Sequence, residues 1–123
     1  MKINIKATNI ELTLAISAYA EKKIRTLKKF LDVPDAVAQV EVGKSTKHHK
    51  SGEVFRAEVH LVAPGMDLYA VSDQSDLYAA IDLVKDELIE KLTREKGKRE
   101  ALYRRGARKV KDIMKGLNFF RRK

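Results

Sequence analysis

The spacing of apolar residues changes along this chain, and this change constrains the fold more than any other feature of the sequence. Residues Lys2–Ala7 alternate between apolar and polar side chains, with Ile3 and Ile5 on the same side. A period of two indicates a strand with one buried face. Further strands are predicted in three later segments, which are Ala38–Val42, Phe55–Leu61 and Asp67–Ser72.

Two other segments have the spacing of amphipathic helices. The first is predicted to begin at Thr13, a good N-cap residue, and to run to about Leu31 before Pro34 stops it. The second is predicted to begin near Ser75 or Asp76. Apolar residues three or four positions apart place one stripe on each helix. The first stripe is Ile16, Ala20, Ile24, Leu27 and Leu31, and the second is Leu77, Ile81, Val84, Leu88 and Leu92.

The element order β-α-β-β-β-α predicts an α+β domain of two layers. A four-stranded sheet with both helices packed on one face would bury both apolar stripes. The other face is then expected to meet water, and its predicted residues are polar, namely Glu41, Arg56, Glu58 and His60. The order differs from the β-α-β-β-α-β order of an RNA recognition motif, and no predicted strand is rich in aromatic residues.

Positive charge is concentrated at the C-terminal end of the sequence. Residues 1–90 contain 12 basic and 14 acidic side chains, a net charge of −2, whereas residues 91–123 contain 14 basic and 3 acidic ones, a net charge of +11. A basic segment beside a nearly neutral body favours a polyanionic partner, either a nucleic acid or an anionic membrane. The sequence is divided into a domain, residues 1–100, and a basic tail, residues 101–123, so the positive charge begins in the last part of the domain and continues through the tail.

Composition argues against several classes of protein. The 123 residues include no cysteine, which excludes disulfides and cysteine-ligated metals. The longest apolar run, Leu77–Ile81, is much shorter than the ~20 residues of a membrane-spanning helix. The first residues lack the apolar region of a signal peptide. A soluble cytoplasmic protein is expected.

No arrangement of residues predicts catalysis or a cofactor. The sequence has neither Gly-x-Ser-x-Gly nor a glycine-rich phosphate loop before a helix. His48 and His49 are adjacent on a loop, but no further ligand stands at metal-binding spacing, and neighbouring lysines would repel a cation. His60 is interpreted as a solvent-facing strand residue. We expect a protein that is not an enzyme and that needs neither a metal nor a cofactor.

Basic residues flank the apolar stripe of both predicted helices. At about 100° per residue, Lys91, Arg94 and Lys98 fall within about 60° of one another. The first helix adds Lys22, Lys23, Arg25, Lys28 and Lys29. With both helices on one face of the sheet, these side chains would line a groove suited to the phosphate backbone of structured RNA. The alternative is an ordinary basic helix surface. Lysines and arginines near the C-terminus of a helix are stabilised by the helix dipole, so they need no RNA partner to explain them.

The tail, from Leu102 to Lys123, has the pattern of a basic amphipathic helix. Its apolar residues recur at helical spacing and are Ala107, Val110, Ile113, Met114 and Leu117. One interpretation is an RNA-binding arm, and another is a helix that docks on the domain or on a second copy of the chain. A membrane-surface helix ranks third, and no membrane partner is expected. These observations also allow an alternative to a nucleic-acid-binding function. The chain would then be an interaction protein that binds an acidic protein partner through this tail.

One run of residues has the pattern of a known family. The run Asp76-Leu77-Tyr78-Ala79-Ala80-Ile81-Asp82 precedes a basic helix, and Asn9 and Thr13 lead from the first strand into the first helix. That basic helix passes through Lys91, Leu92, Arg94 and Lys98. Together with the element order, these features resemble the hibernation-promoting factor and ribosome-associated translation inhibitor family, whose short form is the ribosomal subunit interface protein. The resemblance covers about residues 1–100.

This resemblance implies a ribosome-binding protein. Members of the family bind the small ribosomal subunit between head and body, occupy the channel of messenger and transfer RNA, and silence idle ribosomes under stress and in stationary phase. Basic side chains of both helices face ribosomal RNA in the family. The implied RNA-binding residues are Lys22, Lys23, Arg25, Lys28, Lys29, Lys85, Lys91, Arg94 and Lys98. Asp76, Tyr78 and Asp82 match the family run, with a helix cap at Asp76 and packing at Tyr78 as alternatives to RNA contact.

The tail departs from the family pattern. Long members carry a C-terminal dimerisation domain that pairs ribosomes, and 123 residues are too few to include one. Short members differ in whether they promote or block pairing, and tail length bears on that difference. Self-association through the tail stays an open expectation.

Overall fold

Four strands and two helices follow one another in the predicted order, β-α-β-β-β-α, which confirms the fold class. The computed structural model describes residues 1–31, 33–45 and 52–121, with side-chain positions up to residue 111. The elements are β1 (Lys2–Thr8), α1 (Leu14–Arg25), β2 (Val37–Lys44), β3 (Phe55–Ala63), β4 (Met66–Gln74) and α2 (Leu77–Arg121). A short 3-10 helix, Thr26–Phe30, directly follows α1.

The strands form one mixed sheet in the order β1-β2-β3-β4. β1 and β2 are parallel, whereas β2–β3 and β3–β4 are antiparallel. Parallel neighbours need a long crossover connection, which α1 and the 3-10 helix supply between β1 and β2. β3 and β4 need only the turn at Pro64–Gly65, since Ala63 pairs with Met66. Gly65 has φ +74°, as the third residue of a type II turn with proline before it requires.

The parallel strands approach closely at Gly43, which is buried and lies opposite Thr8. A Cβ atom at Gly43 would lie 2.4 Å from the Thr8 carbonyl oxygen, so a side chain cannot fit unless the backbone moves. Glycine is therefore needed here for close packing of β1 against β2.

The two faces of the sheet differ as the alternation predicts. One face packs against the apolar stripes of both helices and forms the core. Its largest fully buried side chains are Ile24, Leu27, Val42, Val59, Leu61, Ile81, Val84, Leu88 and Leu92. On the other face Arg56 and His60 are exposed, and Glu41 and Glu58 are half-buried. Arg56 lies 2.9 Å from Glu58, so this face is polar and partly ion-paired.

The first helix begins as predicted and ends earlier. Thr13 is its N-cap, because the Thr13 hydroxyl accepts a hydrogen bond from the Ile16 N–H at 3.2 Å. The single helix expected up to Leu31 was wrong, since α1 ends at Arg25 and tightens into the 3-10 helix. At this junction the Thr26 hydroxyl donates to the Lys23 carbonyl at 2.6 Å, a local bond that competes with regular helix geometry.

The second helix begins where the sequence predicts. The Asp76 carboxylate accepts from the Ala79 N–H at 3.3 Å, which supports Asp76 as the cap. All five predicted stripe residues from Leu77 to Leu92 are buried. α2 then extends to Arg121, so the residues between Leu92 and Leu102 are helical too.

The chain divides into two compact units, Met1–Leu92 and Thr93–Lys123. The first holds the sheet, α1 and the buried stripe of α2. In the second, the described side chains, residues 93–111, are exposed except for the half-buried Glu95.

Candidate nucleic-acid interface

Exposed cations cluster where α1 passes into the 3-10 helix. Lys22 lies in the last turn of α1, and Lys28 and Lys29 lie in the last turn of the 3-10 helix. All three are exposed, and none forms an ion pair with any residue that the structure describes. Their charges are therefore directed to solvent and are available to an anionic partner.

Two further cations of α1 already have anionic neighbours. Arg25 donates to Glu21 at 2.8 Å, but both side chains are about half exposed, and such pairs are weak. Lys23 is more constrained, because its Nζ lies 3.8 Å from Asp82 Oδ1 and 5.4 Å from the centroid of the Tyr19 ring. Arg25 can exchange its partner for a phosphate more readily than Lys23 can.

Tyr19 and Asp82 connect the two helices of the first unit. The Tyr19 hydroxyl of α1 donates to Asp82 Oδ1 of α2 at 2.7 Å. The Tyr19 ring also packs edge-on against Tyr78, with 4.8 Å between the centroids. Tyr78 and Asp82 thus have a structural role in joining the helices, as Asp76 has in capping. Direct contact of these three residues with RNA stays a prediction.

The same contact changes the acidity of the phenol. The hydrogen bond to Asp82, together with burial and the negative charge of that carboxylate, raises the pKa of Tyr19 to about 12. Tyr19 therefore keeps its proton, and so its donor role, throughout the neutral range.

The two cations of α2 in the first unit contact the protein itself. Lys85 lies 3.0 Å from Asp86 and its side chain is only 19% exposed. The Lys91 ammonium donates to the Tyr69 carbonyl of β4 and lies 3.4 Å from Glu87. β4 is an edge strand, whose outer backbone groups lack a neighbouring strand. Lys91, predicted to line the groove for RNA, is half-buried and pairs with a backbone carbonyl of this edge strand.

Arg94 and Lys98 belong to the second unit. Arg94 is exposed, and the Lys98 side chain is 74% exposed, with its Nζ 3.9 Å from Glu95. The structure therefore brings Lys23 and Asp82 together and leaves Lys22, Lys28 and Lys29 exposed. Lys85 contacts Asp86 of its own helix, whereas Lys91 contacts Glu87 and the Tyr69 carbonyl of β4. RNA binding by all nine basic candidates stays a prediction.

Comparison with known families decides what kind of chain this is. Residues 3–100 match the family described as Sigma 54 modulation protein / S30EA ribosomal protein. The chain belongs to this family. The S30EA match includes β1 to β4, α1 and the first part of α2, with all nine basic candidates and the run Asp76–Asp82.

Named relatives of this S30EA chain are ribosome hibernation factors. The ribosome hibernation promotion factor of Lactococcus lactis subsp. cremoris is 35% identical over 89 residues, which are 72% of this chain and 45% of that protein. The chain thus spans less than half the length of the Lactococcus relative. The ribosome hibernation promoting factor of Azotobacter vinelandii is 31% identical over 98 residues, 80% of this chain and 85% of that protein.

A solved S30EA-like structure has the same fold. The N-terminal domain of Protein Y from Thermus thermophilus is 33% identical to this chain, with a TM-score of 0.66. The comparison covers 76% of this chain and 98% of that domain. The similarity is therefore to nearly the whole of that domain.

Tyr19 is the residue of this S30EA site that sequence reasoning missed. It borders the apolar stripe, three positions after Ile16 and four before Lys23, which places it on the same side of the helix. A tyrosine at the edge of a stripe can bury its ring and still present its hydroxyl to a polar partner. That spacing was the available signal, but the partner, Asp82, is 63 residues away in sequence.

Other expectations are only partly covered by the described residues. His48 and His49 lie outside them. His60 pairs with Asp67 on the outer face of the sheet, and no group of three potential metal ligands occurs among the described residues. In the described part of the chain, no helix combines the length and hydropathy needed to cross a bilayer.

Proposed function

We propose that this chain is a ribosome hibernation factor that inhibits translation without catalysing a reaction. It binds ribosomal RNA of the small subunit, excludes transfer and messenger RNA from their channel, and acts in the cytoplasm. The match of residues 3–100 to the S30EA ribosomal protein family carries the proposal. The names of the Lactococcus and Azotobacter relatives, both hibernation factors, support it.

The exposed cations of α1 and of the 3-10 helix are the proposed centre of the RNA contact. Lys22, Lys28 and Lys29 are exposed and have no anionic partner among the described residues, so phosphates can bind them without displacing one. Each cation that neutralises a phosphate releases condensed counterions, which supplies most of the binding free energy at low salt. No element for reading bases is evident among the residues that the structure describes, and recognition is therefore assigned to the backbone and shape of structured RNA.

Lys23 has a different proposed role from the exposed lysines. Asp82 and the Tyr19 ring hold its ammonium in a defined position between the helices. A cation held in this way has already lost part of its side-chain entropy, but it must exchange Asp82 for a phosphate, so its main proposed role is to add positive charge between the helices. Tyr19, Tyr78 and Asp82 then act as positioning residues that set the spacing of the two helices.

The first experiment is co-sedimentation of the full chain with purified small ribosomal subunits, with and without bound transfer RNA. Binding to empty subunits, and its loss when transfer RNA is present, is the expected result. Binding that ignores transfer RNA would remove the channel from the proposal, and no binding at low salt would remove the ribosome.

A charge-reversal pair locates the contact. The variant Lys28→Glu/Lys29→Glu removes two phosphate contacts and adds repulsion, and we expect about tenfold weaker subunit binding or more. Lys2→Glu/Lys6→Glu is the matched control, because it makes the same charge change at exposed positions on the outer face of the sheet. Equal losses in both variants would indicate that only net charge matters. Unchanged circular dichroism confirms that both variants fold.

A further inference from the structure

The second unit carries an unusually dense set of cations. Residues 93–111 contain nine lysines and arginines against two glutamates, a net charge of +7. All nine basic residues are exposed. Residues 101–123 lie beyond the family match, which ends at residue 100, so the proposed S30EA function does not account for them.

These cations are concentrated on one side of the helix. At about 100° per residue, six of the seven cations within residues 98–111 fall within an arc of about 160°. They are Lys98, Arg104, Arg105, Arg108, Lys109 and Lys111. We call this set the arm's basic face. It follows about 20 Å of helix axis, a length over which an RNA duplex presents about a dozen phosphates. Half of the set are arginines, which bind phosphates with two parallel hydrogen bonds.

Over residues 98–111, the opposite side of this helix is a poor apolar surface. Tyr103 and Val110 lie there, and Leu102 lies at its edge beside Lys109, with 79%, 60% and 64% of their surfaces exposed. Arg99 and Gly106 fall between them on the helical projection and interrupt the apolar stripe. Docking of this side on a membrane or on a second copy would bury Arg99, and two copies at +7 each would repel one another.

We propose that residues 98–111 form a second RNA-binding arm, which binds the phosphate backbone of duplex RNA through its basic face. The inference goes beyond the proposed contact of the first unit and rests on the proposed function only in choosing RNA as the polyanion. No aromatic residue lies on the basic face, so the arm contacts backbone and stacks on no base.

Two glycines and several like-charge pairs indicate that RNA also orders this arm. Cβ atoms added at Gly97 and Gly106 would meet nothing within 4 Å, so no close packing among the described residues requires either glycine. Both lower helix stability, and a helix without a buried face depends on its own propensity. Arg104–Arg108 and Arg105–Lys109 are like-charge pairs at i,i+4, which destabilise the free helix. Phosphates between these cations relieve that repulsion and raise helix content.

The decisive test measures binding of the full chain to a labelled RNA hairpin of non-ribosomal sequence by fluorescence anisotropy over a range of salt. The basic-face variant is Arg105→Gln/Arg108→Gln/Lys109→Gln, because glutamine preserves helix propensity. This variant removes three cations that bind phosphates, so the slope of log K against log salt should become smaller in magnitude by about 2.7. Affinity should fall at least about tenfold at moderate salt, since fewer counterions are released on binding.

The matched control is Tyr103→Gln/Val110→Gln on the opposite side. Its RNA affinity should stay within about twofold of the wild type, because it changes no phosphate contact. Wild-type RNA affinity in the basic-face variant would overturn the proposal. An equal loss in the control would overturn it too, since the opposite side would then be the binding surface.

Two further measurements test the alternative partners of this helix, which are a membrane and a second copy of the chain. Anionic vesicles of phosphatidylglycerol and phosphatidylcholine, and sedimentation equilibrium without RNA, report on membrane binding and self-association. We expect neither membrane binding nor self-association to depend on Tyr103 and Val110. Vesicle binding or dimerisation could disappear in the control variant while the basic-face variant keeps wild-type RNA affinity. That result would overturn the proposal and identify a membrane or a second copy as the partner of this helix.

A separate experiment tests whether RNA binding raises the helix content of the arm. Gly97→Ala/Gly106→Ala should increase the far-ultraviolet helix signal without RNA and tighten hairpin binding several-fold, because less ordering remains to be done on binding. The wild type should gain helix signal when the hairpin is added. Absence of that gain would contradict coupled ordering.

If the tail variants behave as wild type while Lys28→Glu/Lys29→Glu still weakens subunit binding, the arm is disproved and the proposed function stands.

Discussion

At the scale of single residues, the contact between Tyr19 and Asp82 does most to define the site. It places a hydroxyl donor of α1 at 2.7 Å from a carboxylate of α2, beside the Tyr78 ring and the Lys23 ammonium. A charge-assisted bond of this kind is stronger and more directional than a contact between apolar surfaces. The family run thus contributes to the site through the geometry it imposes on its neighbours.

Replacing Tyr19 with phenylalanine should destabilise the first unit by about 1 kcal/mol, because it removes one hydrogen bond and retains most ring packing. Urea denaturation followed by circular dichroism measures the change. Tyr103→Phe is the control, since Tyr103 is 79% exposed and lies in the second unit. A Tyr19→Phe midpoint equal to that of the control would show that the bond contributes nothing to stability.

The same bond predicts a dependence on alkaline pH. The pKa of Tyr19 is raised from 10.0 to about 12, so the folded state holds this proton more tightly than the unfolded state. Its contribution to stability is therefore fully present below about pH 10 and is lost as the pH rises towards 12. Phenolate absorbance should show one tyrosine that titrates near pH 12 and disappears in Tyr19→Phe. An unchanged titration curve in that variant would contradict the assignment.

At the scale of elements, two local geometries set where the functional side chains lie. The change from α1 to the 3-10 helix at Thr26 turns Lys28 and Lys29 away from the positions of a continuous α-helix, while Leu27 stays buried. The close approach of β1 and β2 at Gly43 sets the spacing of the strands that flank α1.

Gly43→Ala should destabilise the domain by about 1–3 kcal/mol, because its methyl group would overlap the Thr8 carbonyl and force β1 and β2 apart. Gln39→Ala on the exposed side of the same strand is the control and should change stability by about 0.5 kcal/mol or less. Chemical denaturation measures both. Equal effects would show that β1 and β2 can separate at Gly43 without cost.

At the scale of the whole molecule, charge is divided unevenly between the two units. Residues 1–92 carry 13 basic and 14 acidic side chains, a net charge of −1, whereas residues 93–123 carry 13 basic and 3 acidic ones, a net charge of +10. RNA binding by the first unit must therefore depend on where its cations lie. Binding by the second can follow from its total charge.

Subunit binding should be strongly dependent on salt. With about six phosphate contacts, the slope of log K against log salt should lie between about −4 and −5. Lys22→Gln/Lys28→Gln/Lys29→Gln should reduce its magnitude by about 2 to 3, because three cations no longer neutralise phosphates. Co-sedimentation at several salt concentrations measures both slopes. A wild-type slope near zero would contradict an electrostatic interface.

Much of this architecture was predictable because it depends on local patterns. Alternation located the strands, Thr13 and Asp76 marked the helix starts, and the apolar stripes identified the core. The contacts of the site were harder to predict from the sequence. Lys91 has the sequence pattern of an exposed lysine, and only the position of α2 beside the edge of β4 shows that it pairs with the Tyr69 carbonyl.

The sequence by itself determined the order of elements, which faces are apolar, and the separation of a nearly neutral body from a strongly basic tail. These properties follow from periodicity and composition, which involve residues close together in the chain. The tertiary structure alone decided which cations stay free and which are held, as Lys23 is by Asp82 and Lys91 by Tyr69. A salt bridge or hydrogen bond depends on distances of a few ångströms between residues far apart in sequence, and only the packed fold sets those distances.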